Sequence, residues 1–348
     1  MAGLRDASAV TPAAAPKPSL PAYAELHCLS AFSFQRGAST ALELFERAKA
    51  LGYHALAITD ECSFAGLVRG LEASAATGLP LVCGTEVQLA DGPKLVLLIE
   101  SLRGYERLSA LITTARRRAA KGEYVLHRAD LDAAFDGAAG EGGVLALWVP
   151  KLIDDEAETA AWLHRLFPDR LWLAAQLHRG ADDGARRAAI AALAGRCGLP
   201  VVACGDVHMH VRRRRGLQDV LCALRHRATL REAGRRLFPN GERHLRTRQA
   251  LAAIFPRDWL EESVAIAARC RFSLRDLTYA YPRELVPEGE TPSSWLAKLT
   301  WDGAALRWPE GVPDKVRAQI EAELALVAEL EYEAFFLTVH DLVVFARS

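Results

Sequence analysis

No two of the seven cysteines form a C-x-x-C pair, and the set Cys28, Cys62, Cys83, Cys197, Cys204, Cys222 and Cys270 is odd in number. A disulfide framework is not indicated, and the buried thiols of a reduced, cytoplasmic protein fit better. Absent too is any unbroken apolar run long enough to span a bilayer, which excludes an integral membrane protein. Residues 1–21 are rich in Ala and Pro and lack the apolar core of a signal peptide, so residues 1–22 are expected to be a disordered lead-in. Net charge is missing as well: 43 basic residues cancel 43 acidic ones, and global charge points to no class of partner.

What is present is a chain of 348 residues, 51% hydrophobic and 25% charged, enough for one large domain and part of a second. Residues 23–28 alternate as a strand that ends at His27. Thr40-Ala-Leu-Glu43 is a capping box that opens a helix running to Gly52. Residues 55–59 form an apolar strand delivering Asp60, and a helix follows over about 64–76. Leu79 to Cys83 leads through Gly84 to Glu86, Lys94 opens another strand, and an arginine-rich helix covers about 105–121. Strands at 144–149, 171–177 and 200–204 then alternate with helices at 156–166 and 183–197, a pattern that implies a parallel sheet covered by helices.

His27, Asp60, Glu86, Asp206 and His208 all stand at or just past the carboxyl ends of these strands, where a β/α barrel carries its active site. Asp206 and His208 are two apart, so an extended backbone turns both side chains to one face. An Asp-x-His after a strand is either a hydrogen-bonded turn or a pair of metal ligands. A lone His27 would be a satisfied core histidine. Five such groups on one rim suit Zn²⁺, Mn²⁺ or Fe in phosphoester hydrolysis, or mark the relic of such a site. Between Arg212 and Arg248 twelve arginines face three acids, either a solvated surface or a phosphate contact.

These residues resemble the polymerase-and-histidinol-phosphatase (PHP) domain. The segments Y-A-E-L-H-C-L-S-A-F-S-F (23–34), A-L-G-Y-H-A-L-A-I-T-D-E-C-S (50–63), G-D-V-H-M-H-V-R-R-R-R (205–215) and E-R-H-L-R (242–246) are similar to the bacterial error-prone DNA polymerases, relatives of the polymerase III α subunit. In the tail, L-T-Y-A-Y-P-R-E-L-V-P (277–287), G-V-P-D-K-V-R (311–317) and E-L-E-Y-E-A-F-F-L-T-V-H-D (329–341) resemble the entry to that family's palm. The resemblance implies an α/β fold: a distorted seven-stranded β/α barrel over 23–275 with a basic extension, and a truncated, mostly helical start of the palm over 276–348. In catalytic relatives up to nine ligands hold up to three metals for phosphatase or 3′–5′ exonuclease chemistry.

Position by position the ligand set departs from that pattern. His27 is kept, but Leu29 stands where the second histidine of His-x-His belongs, and Arg36, before Gly37, takes a third ligand position. Thr-Asp-His has become Thr59-Asp60-Glu61, Glu86 matches the bridging acid, Lys94 replaces a histidine, and residues 144–148 offer no Cys or His. Asp206 and His208 match the last pair. Leu29 cannot coordinate, and Arg36 and Lys94 add positive charge that repels cations. The remaining His27, Glu61, Glu86, Asp206 and His208 either hold one weak Zn, Mn or Mg ion or form an ion-pair network with Arg36; the resemblance favours the network.

The resemblance further implies a damage-induced, error-prone DNA polymerase of the cytoplasm. Its Mg²⁺-binding palm aspartates would lie beyond residue 348, leaving this chain without activity of its own. Expected partners are the DNA backbone without sequence preference, through Arg212, Arg213, Arg214 and Arg215, and the remainder of the polymerase, with a sliding clamp and translesion factors reached through other regions. Two alternatives stay open: a metal-dependent phosphoesterase or exonuclease, and a protein-binding platform. A Pro/Gly-rich connector, residues 281–292, is expected to mark a domain boundary. The helix over about 314–332 should bury Ile320, Leu324, Val327 and Leu330, and Phe335, Phe336 and Leu337 need burial as well.

Overall fold

The computed structural model describes residues 19–135, 143–152, 156–277 and 285–348. Most of the lead-in and the 281–284 part of the connector lie outside them. Two compact units result, Met1–Asp276 and Leu277–Ser348.

The first unit is built on six strands in the order β1-β2-β3-β4-β5-β6, namely β1 (Leu56–Ile58), β2 (Leu81–Gln88), β3 (Lys94–Ile99), β4 (Val144–Val149), β5 (Leu171–Gln176) and β6 (Val201–Cys204). Around them come α1 (Ala41–Ala50), α2 (Leu67–Thr77), α3 (Leu102–Arg117), α4 (Arg128–Phe135), α5 (Ala157–Leu166) and α6 (Asp183–Cys197), then α7 (Arg215–Arg225), α8 (Leu230–Ala233), α9 (Arg248–Ala252) and α10 (Arg257–Arg269). The Thr40 capping box forms as expected, with Glu43 reaching back to the Thr40 amide.

The sheet is mixed and not all parallel. β2 and β3 pair antiparallel, as do β3 and β4, while the other neighbours are parallel. The cause is local: residues 89–93 are far too few for a crossover, so β3 must return as a hairpin. This reversal puts Lys94, the first residue of β3, opposite Gln88 at the end of β2. An amino-terminal strand residue thereby reaches the rim that the other strands reach with their carboxyl ends.

Both sheet faces are buried. On β3 and β4, Leu95, Leu97, Val144, Ala146 and Trp148 pack with α1 to α6, whereas Val96, Leu98, Leu145 and Leu147 pack on the opposite face with Ile266 of α10. Burial on both sides explains why these strands read as continuous apolar runs.

Among the described residues six strands form ladders, one short of the expected seven. The expected strand at 23–28 makes only isolated bridges, Glu25 to Leu56 and Cys28 to Val207. It changes partner midway: Ala57 N–H donates to the Glu25 carbonyl (2.7 Å), whereas Val207 N–H donates to the His27 carbonyl (2.9 Å). Between these bonds the Glu25 carboxylate takes over, accepting from the amides of His27 (3.0 Å) and Gly205 (2.9 Å) and from the Tyr23 hydroxyl (2.8 Å). A Cβ on Gly205 would lie 2.3 Å from that carboxylate, so only glycine admits the contact. The segment thus ties β1 to the chain leaving β6, and the sheet curls until its two ends face one strip of backbone.

The second unit comprises α11 (Pro292–Arg307), α12 (Asp314–Glu329) and α13 (Glu333–Arg347). Thr291 caps α11, with Pro292 at the first turn. No residue of α12 is fully buried: Ile320, Leu324 and Val327 are half-buried and Leu330 just past it is 57% exposed, so the expected core face forms only in part. Leu337 is buried, but Phe335 and Phe336 are 41% and 45% exposed. Periodicity made α12 amphipathic, but within this three-helix unit its apolar stripe is covered only in part.

Gly104 in α3 offers a test of the packing that holds β4 in place. Alanine normally favours a helix over glycine by about 1 kcal/mol. Here its Cβ would lie 1.8 Å from the Gly143 carbonyl oxygen just before β4. Gly104→Ala is expected to lower stability by about 2–3 kcal/mol in urea unfolding, the reverse of the helix-propensity effect.

Candidate metal centre

The rim brings together His27 from the strap formed by residues 23–29, Glu86 from β2, Lys94 from β3, Gln176 from β5, and Asp206 and His208 from beyond β6. Among the described residues, His27, Glu86 and Asp206 place ligand atoms within 4.8 Å of one another, a geometry able to hold a metal ion. All three are at least 96% buried, which makes the state of their charges decisive.

Each carboxylate of this group already meets a protein cation. Glu86 Oε1 pairs with the Arg36 guanidinium, and Glu86 Oε2 lies 2.9 Å from Lys94 Nζ and 2.6 Å from His27 Nε2. Asp206 Oδ2 pairs with Arg243. Arg36 also bonds Glu61 at 2.8 Å, and Arg225 approaches Glu61 at 3.5 Å. Burial alone would raise the Glu86 pKa, but Lys94, Arg36 and the His27 bond outweigh it and hold the carboxyl well below the usual range. Burial also opposes charge on Arg36, and Glu86 and Glu61 reverse that effect. Arg243, squeezed by burial and by the neighbouring Arg36, is pushed down to about 10 and remains charged at neutral pH.

The histidines are neutral. Burial, with Lys94 adding to it, lowers His27 to about 4 against the pull of Glu86. Its one ring proton must lie on Nε2, because the ionised Glu86 can only accept. Nδ1 then accepts from Gln176 Nε2 at 2.8 Å. A cation at Nε2 would require that proton to move and the Gln176 amide to turn over. His208, lowered to about 3 by burial and Arg36, has one proton for two acceptors, Asp206 Oδ1 at 3.2 Å and the Arg36 carbonyl at 3.3 Å.

Tested against a metal, the donor set fits in geometry and fails in charge. Three ligand groups converge, but Arg36, Lys94 and Arg243 lie on the oxygens a cation would take.

The other expected positions sort as follows. Asp60 is not part of the group: its carboxylate accepts from the Ser30 amide (2.8 Å) and from the Ser30 and Ser33 hydroxyls (2.7 Å each). Leu29 is fully buried in the core and offers no ligand. Glu61 faces Arg36 at the mouth. Asp206 does not sit on extended backbone but at φ +44°, a left-handed conformation. That strain, about 1 kcal/mol for a non-glycine, corrects the simple alternation argument for the 206/208 pair. Of the rim arginines, Arg212 approaches Glu242 (3.6 Å), Arg214 pairs with Glu43, and Arg215 approaches Asp219 (3.4 Å). Arg213 alone of the four is exposed without a carboxylate partner among the described residues.

Two residues escaped the sequence reading. Gln176 ends β5, and its position at a strand terminus was the available signal. Arg243 lay within the counted arginine run, with nothing to mark it as one that turns toward the site. Its guanidinium stacks 4.1 Å from the Phe238 ring centroid, and its carbonyl accepts the His208 amide.

Residues 25–176 match the PHP domain model, and residues 294–348 match the bacterial DNA polymerase III alpha NTPase domain model. The chain carries a PHP domain. An error-prone DNA polymerase of Pseudomonas savastanoi pv. phaseolicola is 58% identical over 330 residues, covering 94% of this chain and 31% of that protein. Its Pseudomonas aeruginosa counterpart is 58% identical over 326 residues, again covering 94% and 31%. The chain thus spans about a third of the length of these curated relatives. Among solved structures, a candidate metal-dependent phosphoesterase from Bifidobacterium adolescentis is similar at a TM-score of 0.39 and 22% identity, over 55% of this chain and 89% of that one. Among the described residues no helix is long and apolar enough to cross a membrane.

The neutral histidines of this PHP domain make its stability pH-dependent. His178 donates to the Gly205 carbonyl (3.0 Å) beside Asp206, and burial lowers it to about 2. Because the unfolded histidine takes a proton near its model value of 6.5, this contribution is complete above that pH and is lost as pH falls below it. His178→Gln, which can still donate to Gly205, should flatten the slope of unfolding free energy between pH 4.5 and 6 by about one proton, or about 1.4 kcal/mol per pH unit. An unchanged slope would mean that His178 is protonated in the fold.

Proposed function

We propose that this chain is the N-terminal portion of an error-prone DNA-directed DNA polymerase acting in damage-induced translesion synthesis in the cytoplasm. Its PHP site works as a structural hub and not as a hydrolase. The observation that carries this reading is the occupation of the ligand oxygens by protein cations: Glu86 by Arg36 and Lys94, Asp206 by Arg243. A hydrolytic site needs those oxygens for a metal that activates water. Here the charges are spent on holding strap, β2, β3 and the post-β6 segment together. The strap of residues 23–29 serves as the seventh stave of the barrel, and the PHP unit and palm start divide near residue 276.

Polymerisation itself belongs to the longer protein, as do the sliding clamp and translesion partners. The relatives' name also implies contact with DNA, for which the basic segment after β6 is the natural candidate. The convergence of His27, Glu86 and Asp206 favours a second reading, a metal-dependent phosphoesterase or 3′–5′ exonuclease. The two readings separate in one preparation, by metal content and by hydrolysis of a 3′-recessed duplex in Mn²⁺ or Zn²⁺. The hub reading expects well under one metal per chain and no release of nucleotides. Stoichiometric metal, with hydrolysis abolished by Asp206→Ala, would establish the second reading.

A further inference from the structure

The twelve arginines between Arg212 and Arg248 divide by what they touch. Arg212, Arg214, Arg215, Arg225 and Arg243 each face a carboxylate. Arg246 donates to the Leu177 carbonyl (2.9 Å) and Arg248 to that of Pro21 (3.4 Å). Besides Arg213, the remaining four are Arg227, Arg231, Arg235 and Arg236, all exposed and without an acidic partner among the described residues.

We propose that Arg227, Arg231, Arg235 and Arg236 form a docking surface for the phosphodiester backbone of a nucleic acid strand. This rests on the reading of the chain as part of a DNA polymerase and relocates the contact away from Arg212–Arg215.

The fold gathers the four on one short structure. The Ala228 amide closes α7 by donating to the Ala223 carbonyl (3.0 Å), and the buried Ala233 seats α8 beside it. The chain then turns at Gly234 (φ +47°), and the Arg236 carbonyl accepts from Cys222 Sγ (3.3 Å). Cys222 stands three residues, about 4.5 Å of helix, before Arg225 at the end of α7, so the Arg236 end of the turn returns to the helix end that Arg227 follows by two residues. Arg225, on the same last turn, reaches Glu61 at the rim, which sets the patch beside the mouth of the site.

Glu232, the one acid within 227–236, is engaged by the Thr229 amide and hydroxyl (2.9 Å each) and not by an arginine. Four guanidiniums held apart from carboxylates suit an anionic polymer, since each fork can take a phosphate oxygen and release a counterion. The segment has no aromatic residue to stack a base, and its one large exposed apolar side chain is Leu230. Within 227–236 it therefore lacks the aromatic anchor common at protein interfaces and the stacking platform that would select a base. Contact with phosphate, independent of sequence, follows.

The test measures binding of the full 348-residue chain to a fluorescent oligo-dT of about twenty nucleotides and to a duplex of similar length, over roughly 50 to 200 mM salt. The quadruple variant R227Q/R231Q/R235Q/R236Q should show a log-affinity against log-salt slope shallower by about 3 on the single strand, equivalent to about 50-fold over that salt range. A charge-matched control, K49Q/R103Q/R117Q/K121Q, changes exposed residues on α1, on α3 and just past α3, and should keep the wild-type slope. Thermal melting should be the same for all three proteins. Equal slopes in wild type and quadruple variant would overturn the proposal, and so would equal losses in both variants. Tighter patch-dependent binding of a polyglutamate peptide than of the oligonucleotide would overturn it in favour of an acidic protein. A wild-type chain that binds neither DNA would also overturn it, while the metal-free hub stands or falls by its own assay.

Discussion

The constraint on which the structure depends is the neutralisation of two buried carboxylates, Glu86 and Asp206, at the rim of the curled sheet. A carboxylate stripped of water costs several kcal/mol unless an opposite charge and hydrogen bonds replace its hydration. A metal cluster would do this with concentrated charge and exchangeable water. Here the charge is spread over three side chains, Arg36, Lys94 and Arg243, each anchored on a different piece of backbone. Charge of this kind brings no water to activate. It brings geometry, because strap, β2, β3 and the segment after β6 must all be in place for the pairs to form.

That arrangement follows from topology. The short 89–93 link reverses β3 and so delivers Lys94 to Glu86 at the rim. Gly205 admits the Glu25 carboxylate, which joins the strap to the end of β6 and brings His27 against Glu86 and beside Asp206. The left-handed Asp206 then aims its carboxylate at Arg243. The same exit from β6 launches α7, whose last turn bends back to Glu61.

Much of this was legible in the sequence, for physical reasons. Strands buried on both faces leave unbroken apolar runs, and capped helices leave box patterns such as Thr40 to Glu43. Polar residues directly after such runs mark a rim, which found His27, Glu86, Asp206 and His208. Periodicity carries no information on strand direction, so β3 was expected to be parallel. Nor does it tell that Asp60 would be taken by Ser30 and Ser33, since two serines in a loop have no pattern of their own. Arg243 was hidden for the opposite reason: among twelve arginines, composition cannot say which ones turn inward or which of them meets Asp206. The apolar face of α12 and Phe335 and Phe336 were legible as apolar, but burial depends on neighbours that a single sequence does not specify.

If protein cations hold this hub, Arg243 and Asp206 must be coupled strongly and specifically. A double-mutant cycle with Arg243→Gln, Asp206→Asn and the double variant, read by denaturant unfolding at pH 7, measures that coupling directly. Each single change should cost about 3–5 kcal/mol by stranding the other charge, and the double variant should recover at least about 2 kcal/mol of the sum. Additive losses, with the double variant as unstable as the sum of the singles, would contradict the account.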